Sequence, residues 1–146
     1  MAEYAQRTLG LIKPDATQKR FIGEVLAVIE SDCSLKLVDL RMGRLKREVV
    51  EEFYGEHRSK PFFGELVDFI CSGPIVAFVL EGEDVVSRYR ELMGATNPKD
   101  AALGTLRDLF AESRDKNAVH GSDSVESANR EIELIFGSDN IKDAFI

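Results

Sequence analysis

Tryptophan is absent from this 146-residue sequence, which has only two cysteines, two histidines, three methionines and four prolines. Cys33 and Cys71 stand far apart, with none of the short spacings of zinc or redox motifs. Two histidines without clustered cysteines do not make a typical zinc site. Both thiols are expected to be reduced, as in a cytosolic protein. The longest apolar run, Ile75 to Leu80, is far shorter than the roughly 18 residues that suggest a membrane span. Nothing in Met1 to Arg7 resembles the apolar core of a signal peptide, so the expected location is the cytoplasm. There is no low-complexity tract, repeat or linker, and the length suits one domain covering 1–146. Neither G-x-x-x-x-G-K-S/T nor G-x-S-x-G occurs, which excludes a P-loop kinase and a nucleophile elbow.

Positive charge is scarce as well. Nineteen Lys+Arg against 26 Asp+Glu leave a net charge of −7, which disfavours sequence-independent binding to nucleic acid or anionic lipid. A phosphate-bearing ligand would have to be held by a few local cations.

What remains is a regular alternation of elements. Thr8 to Lys13 reads as a strand stopped by Pro14-Asp15. Ile22, Val25, Leu26 and Ile29 recur at helical spacing, predicting a helix over 21–31. Leu35 to Met42 alternates and predicts a half-buried strand, with Val38, Leu40 and Met42 on one side. Two helical segments follow, over 46–55 and from Pro61 through Ile70. Ile75 to Leu80 is apolar on both faces, as a central strand requires. Val85, Val86, Tyr89, Leu92 and Met93 make one stripe of a helix. From Gly94 to Asn117 periodicity fails, predicting a long loop with a short turn at Thr105 to Phe110. A short helix over Ser124 to Asn129, capped by Asp123 or Ser124, and a last strand over Glu131 to Phe136 complete the pattern. The order is that of an α+β protein, a ferredoxin-like split β-α-β sandwich with a four-stranded antiparallel sheet and a helical hairpin insertion.

Of the two histidines, His57 lies in a polar helix end. His120 lies in Asn117-Ala118-Val119-His120-Gly121-Ser122-Asp123-Ser124, where small residues leave the ring accessible beside a helix start. A neutral imidazole is nucleophilic near pH 7 without a base to deprotonate it. The cations are oddly placed: Lys13 ends a strand, Arg90 flanks the stripe helix and Arg107 sits in the aperiodic stretch.

From Thr8 to Phe136 the sequence resembles the nucleoside diphosphate kinase family. The segment around His120 matches the family's active-site motif. Leu11-Ile12-Lys13-Pro14-Asp15-Ala16, Arg58-Ser59-Lys60-Pro61-Phe62-Phe63, Ser72-Gly73-Pro74 and Met93-Gly94-Ala95-Thr96-Asn97-Pro98 match further blocks in order. The resemblance implies transfer of the γ-phosphate of a nucleoside triphosphate, mainly ATP, to a nucleoside diphosphate by a ping-pong route through phosphorylated His120. It implies Nδ1 as the reacting atom, Glu131 as the carboxylate orienting the ring and Ser122 as a supporting hydroxyl. Lys13 and Tyr54 would stand near the transferred group, and Arg90, Thr96 and Arg107 would clamp phosphates. Asn117 would meet the sugar and Phe62 would stack on the base, giving broad base specificity. Mg²⁺ would ride on the phosphates with no protein ligand, and the chain would form a homo-oligomer, tetramer or hexamer.

The sequence departs from the family pattern at Leu103, where proline is usual, at Asp108-Leu109 and at Ser34. The first two put the rigidity of the clamp loop in question, and a missing proline costs about 0.4–1 kcal/mol. Two other readings share the pattern. A non-catalytic nucleotide-binding regulator is disfavoured by the intact His120, Lys13 and Glu131. An RNA-binding β-α-β-β-α-β domain is disfavoured by the acidic balance and by the lack of aromatics in Thr8 to Lys13.

Overall fold

Alternation along the first two central strands divides the molecule into its layers. In this computed structural model, which describes residues 6–137 and 144–146, β1 (Gln6–Ile12) sends Leu9 and Leu11 to one face and Ile12 to the other. β3 (Ile75–Gly82) is buried continuously from Ile75 to Leu80. Its Ile75, Ala77 and Val79 join the first core, and Val76, Phe78 and Leu80 the second. β2 (Lys36–Gly43) and β4 (Val119–Gly121) complete a sheet of order β2-β3-β1-β4, antiparallel throughout.

α1 (Pro14–Gln18) is a single turn after β1, with proline in its first position. α2 (Ile22–Ser31) and α5 (Val85–Met93) cover one face of the sheet. α3 (Arg47–Phe53), α4 (Phe63–Ile70) and α7 (Val125–Phe136) cover the other. Each fully buried large apolar side chain contributes on the order of 1.5–3 kcal/mol, so the two cores hold the sheet from both sides. The result is the α+β, ferredoxin-like architecture expected from the order of elements, with α3 and α4 as the insertion between β2 and β3.

Three sequence expectations are corrected. Residues 131–136 are not a strand, because α7 runs unbroken from its Ser124 cap to Phe136. Its buried residues Ala128, Glu131 and Ile135 follow the 3.6-residue period, and the short Glu-Ile-Glu-Leu alternation happens to fit both periods. The fourth strand is Val119–Gly121, so His120 lies on the sheet itself, opposite Leu11. On β2, Leu40 and Met42 do not face the core but are 45% and 59% exposed. A bulge between Leu37 and Asp39 changes the phase of this edge strand. The helix expected from Pro61 begins two residues later, at Phe63.

Two glycines bring β4 close to its cover. Gly10 and Gly121 pair across β1 and β4, beneath Phe78 and Tyr89, whose rings meet edge to face at 5.8 Å. A Cβ on Gly10 would lie 2.2 Å from the Phe78 ring, and one on Gly121 2.6 Å from Met93 and 2.8 Å from Tyr89. At the C-terminal end, Phe145 bridges to Leu45 and Ile146 N–H donates to the Arg44 carbonyl. The terminal residues 144–146 thus pack on their own chain, and the rest of the tail, 138–143, lies outside the described residues.

The stretch from Gly94 to Asn117 is more ordered than its composition predicts. It contains a 3₁₀ turn at Pro98–Asp100 and α6 (Leu106–Phe110), whose Thr105 cap accepts from Asp108 N–H. The departures from the family pattern have their own supports. The Asp108 carboxylate accepts from Gly104 N–H at 2.9 Å, and Ser34 is tied to Asp32 through both its N–H and its hydroxyl. Thr105 N–H donates to the Ala102 carbonyl across Leu103 and Gly104, and Gly104 has φ of +85°. That is a type II turn with Leu103, 93% exposed, at the position proline prefers. Leu103→Pro is therefore expected to stabilise the fold by about 0.4–1 kcal/mol, read as a rise of about 1–4 °C in melting temperature. A fall would show that the loop needs another backbone geometry.

Candidate active site

The backbone just before His120 is held in a strained form. Ala118 has φ of +72°, and Val119 N–H reaches back to the Asn117 carbonyl at 2.8 Å, which makes a γ-turn centred on a non-glycine residue. Two contacts enforce it. The Ala118 carbonyl accepts from Lys13 N–H at 2.8 Å, and Ala118 N–H donates to the Asp15 carboxylate at 3.0 Å. Asp15 is a structural support of the site that residue-type reasoning missed, although it lies within a quoted motif. Its signal was an acid directly after Lys13-Pro14, where a one-turn helix aims it inward. Burial pushes its carboxyl above the ordinary aspartate range, while the Ala118 N–H and the Lys13 cation pull it back. Asp15→Ala leaves Ala118 N–H unpaired, and the expected cost is about 1–3 kcal/mol, measurable by urea denaturation.

On the turn's far side His120 is fixed by α7. Its Nε2 lies 2.9 Å from Glu131 Oε1, and the Ser122 hydroxyl donates to the same oxygen at 2.8 Å. The Ser122 oxygen in turn accepts from Leu9 N–H at 3.3 Å. A carboxylate only accepts, so the shared proton sits on Nε2 and the lone pair on Nδ1. The ring is 18% exposed and Glu131 only 7%, and Phe53 packs edge-on against the imidazole at 4.9 Å. Tyr54 follows at 6.2 Å, with its hydroxyl buried and unpartnered among the described residues. Burial, with Glu131 nearby, pushes that phenol above its ordinary range, so it remains a donor.

The cations converge on this histidine from three elements. Lys13 is buried, and its ammonium donates to Asn117 Oδ1 at 2.8 Å. Burial and the neighbouring Arg107 lower its pKa to about 8, against the pull of Asp15 and Asp115. Asn117 passes the connection on, donating from Nδ2 to the Thr96 carbonyl at 3.2 Å. Arg107 donates to the Gly94 and Val119 carbonyls, both at 3.0 Å, and keeps its Nε buried and unpartnered among the described residues. Arg90 is exposed on the flank of α5, as its spacing predicted.

Two cavities are lined by these groups. One, about 170 Å³, is lined by Arg90, Thr96, Arg107 and His120 with the Gly94 and Gly121 backbones. The other, about 340 Å³, opens past Lys13 toward Phe62, Leu66 and Phe69. Phe62 is 47% exposed over the cavity, with His57 against it at 5.8 Å, and Phe63 packs on the core. Of the residues singled out in the sequence, Arg90, Thr96, Arg107 and His120 line the smaller cavity and Lys13 and Phe62 the larger, with Glu131, Ser122 and Asn117 bonded to His120 or Lys13 and Tyr54 beside the His120 ring. Among the described residues no group of three or more His, Cys, Asp or Glu side chains is placed to hold a metal ion.

A tautomer-fixed histidine facing lysine and arginine on a split β-α-β sheet defines a phosphate-handling class of protein. Comparison with known proteins gives the family. The nucleoside diphosphate kinase family model matches residues 6–141. A nucleoside diphosphate kinase of Halorhodospira halophila is 56% identical over 136 residues, covering 93% of this chain and 96% of that protein. One of Phenylobacterium zucineum is 54% identical, covering 93% and 97%. Among solved structures, the Aquifex aeolicus enzyme superposes with a TM-score of 0.88 at 44% identity, covering 92% of this chain and 96% of that one. A halophilic enzyme from Halobacterium salinarum, in complex with CDP, gives 0.86 at 42%, covering 92% and 89%. The chain belongs to the nucleoside diphosphate kinase family and is a nucleotide-binding phosphotransferase.

Proposed function

We propose that the protein transfers the γ-phosphate of nucleoside triphosphates, chiefly ATP, to nucleoside diphosphates by a ping-pong route, with His120 as the phosphoryl carrier. The observation that carries this reading is the Nε2–Glu131 contact at 2.9 Å, which leaves the Nδ1 lone pair for the cationic cleft. Nδ1 attacks the γ-phosphorus in line and forms the P–N bond, while the bond to the bridging oxygen breaks and the diphosphate leaves. The Nε2 proton stays between the ring and Glu131. A second diphosphate then attacks the phosphohistidine through its terminal oxygen, reversing the step.

Such transfer depends on position and on charge set where it develops. Lys13 and the Tyr54 hydroxyl serve the transferring oxygens, and Arg90, Arg107 and Thr96 hold the rest of the phosphate chain. Arginine's planar fork suits those oxygens. Asn117, whose amide already holds Lys13, also meets the sugar. Phe62 stacks on the base, and since every base has a π-face, specificity is broad. The charged lining of the smaller cavity, Arg90 and Arg107, is cationic, which suits a phosphate chain bringing its own Mg²⁺; that ion would supply further charge neutralisation. Transfer from Mg·ATP to GDP, UDP and CDP is expected for the wild type and not for His120→Ala, measured by nucleotide chromatography. Transfer by the variant would remove His120 from the route.

We also infer a homo-oligomer, since an edge strand displaying Leu40 and Met42 is a surface that a second copy would cover. The same reading takes residues 1–146 as one domain. The unpaired thiols of Cys33 and Cys71 suit the reducing cytoplasm, and no helix among the described residues is long and apolar enough to cross a membrane.

A further inference from the structure

Glu131 has a neighbour on α7 that reaches the opposite wall of the cleft. The Glu52 and Phe53 carbonyls lie in the last turn of α3, where helical carbonyls lack partners along their own helix. That turn has no basic residue of its own. Arg130 supplies the donors from α7: its guanidinium donates from Nη1 to the Glu52 carbonyl at 3.3 Å and from Nη2 to the Phe53 carbonyl at 3.1 Å. A planar fork binds two carbonyls at once, and its charge suits the negative end of a helix. The ion pairs Arg47–Asp68 and Arg58–Glu52 join parts of the helical insertion to each other, whereas Arg130 ties the insertion to the helix that holds the histidine.

The held carbonyls adjoin the rings that face His120. Phe53 stands edge-on to the imidazole at 4.9 Å, Tyr54 follows at 6.2 Å, and the two rings brace each other at 4.9 Å. We propose that Arg130 is a positioning residue for phosphoryl transfer, acting through the end of α3 to hold the Tyr54 hydroxyl at the reacting group. The proposal rests on the kinase reading of the cleft. Successive residues of α7 thus set two sides of the reaction: Glu131 fixes the imidazole from Nε2, and Arg130 fixes the wall that brings the phenol. The Tyr54 hydroxyl is buried with no hydrogen-bond partner among the described residues, so its aim depends on where its backbone and ring are held. Arg130 itself is exposed and lines neither cavity.

Rapid-quench phosphorylation of His120 over a range of Mg·ATP concentrations separates the maximal rate from ATP affinity. Wild type, Arg130→Gln, Arg130→Lys, Tyr54→Phe and the double variant Arg130→Gln/Tyr54→Phe are compared. A wild type that takes up no phosphate would overturn the kinase reading itself. With phosphoenzyme formed, Arg130→Gln should lower the maximal rate about three- to tenfold, as misplacing a reacting group does, with ATP affinity unchanged. Arg130→Lys keeps the charge and one donor head and should lose less; it takes the place of Arg130→Gln in the same cycle should that variant not fold. In the Tyr54→Phe background the loss should shrink to less than about twofold, because no hydroxyl is left to place. A wild-type rate in Arg130→Gln, a loss confined to ATP affinity, or an equal loss in both backgrounds would overturn the positioning role. So would a Tyr54→Phe variant as fast as the wild type.

Discussion

Lys13→Met is expected to slow formation of the phosphoenzyme by about 10²- to 10³-fold, the usual cost of removing one preorganised group at a developing charge. Lys13 is one of two buried cations of the cleft, with Arg107. Its ammonium is held by Asn117, which is held by Thr96, so its position is set before substrate arrives. The same burial gives a pH signature. With Arg107 adding to the effect, the Lys13 pKa falls from 10.5 to about 8. A cation with a lowered pKa loses its charge as pH rises through that value. In the wild type kcat/KM is therefore expected to fall about tenfold per unit above pH 8, because kcat/KM reports the free enzyme. In Lys13→Met that limb should vanish from the residual activity. A wild-type profile flat to pH 10 would remove Lys13's charge from the mechanism.

Glu131→Gln is the second large effect, a loss of about 10²-fold or more in phosphorylation rate with the fold retained. The exchange keeps volume but replaces an acceptor-only group with one that also donates. The amide can then donate to Nε2, moving the imidazole proton to Nδ1 and blocking the attacking lone pair. A wrong tautomer in an otherwise intact site is costly in other enzymes. Ser122 sharpens the argument, since its hydroxyl shares Oε1 with the histidine and ties the pair to β1 through Leu9 N–H. NMR of the ring nitrogens should show the proton on Nε2 in the wild type and redistributed in the variant. An active Glu131→Gln would mean that the histidine is oriented by something else.

The sequence revealed the elements whose burial pattern is unambiguous. Ile75 to Leu80 could only be a strand covered on both faces, and the Val85–Met93 stripe could only be a helix. It misread Glu131 to Phe136 because six residues alternating charge and apolar groups also satisfy helical spacing once Ala128 is included. It misjudged β2 because a bulge shifts phase without marking the composition, and because Leu40 and Met42 lie on a sheet edge. The candidate site was legible as residue types, through the His120 segment and the oddly placed cations. Its supporting struts were not. Nothing in a sequence states that Asp15 will meet Ala118 N–H across more than a hundred residues, or that Arg107 will bind two carbonyls.

The phosphohistidine relay requires that His120 become phosphorylated. Intact-mass measurement of wild type and His120→Ala after incubation with Mg·ATP tests this directly. The wild type is expected to gain one acid-labile phosphoryl group and to lose it on addition of GDP or CDP, with the variant unmodified. A wild type that binds ATP and never gains the group, or a variant that gains it equally, would contradict the phosphohistidine relay.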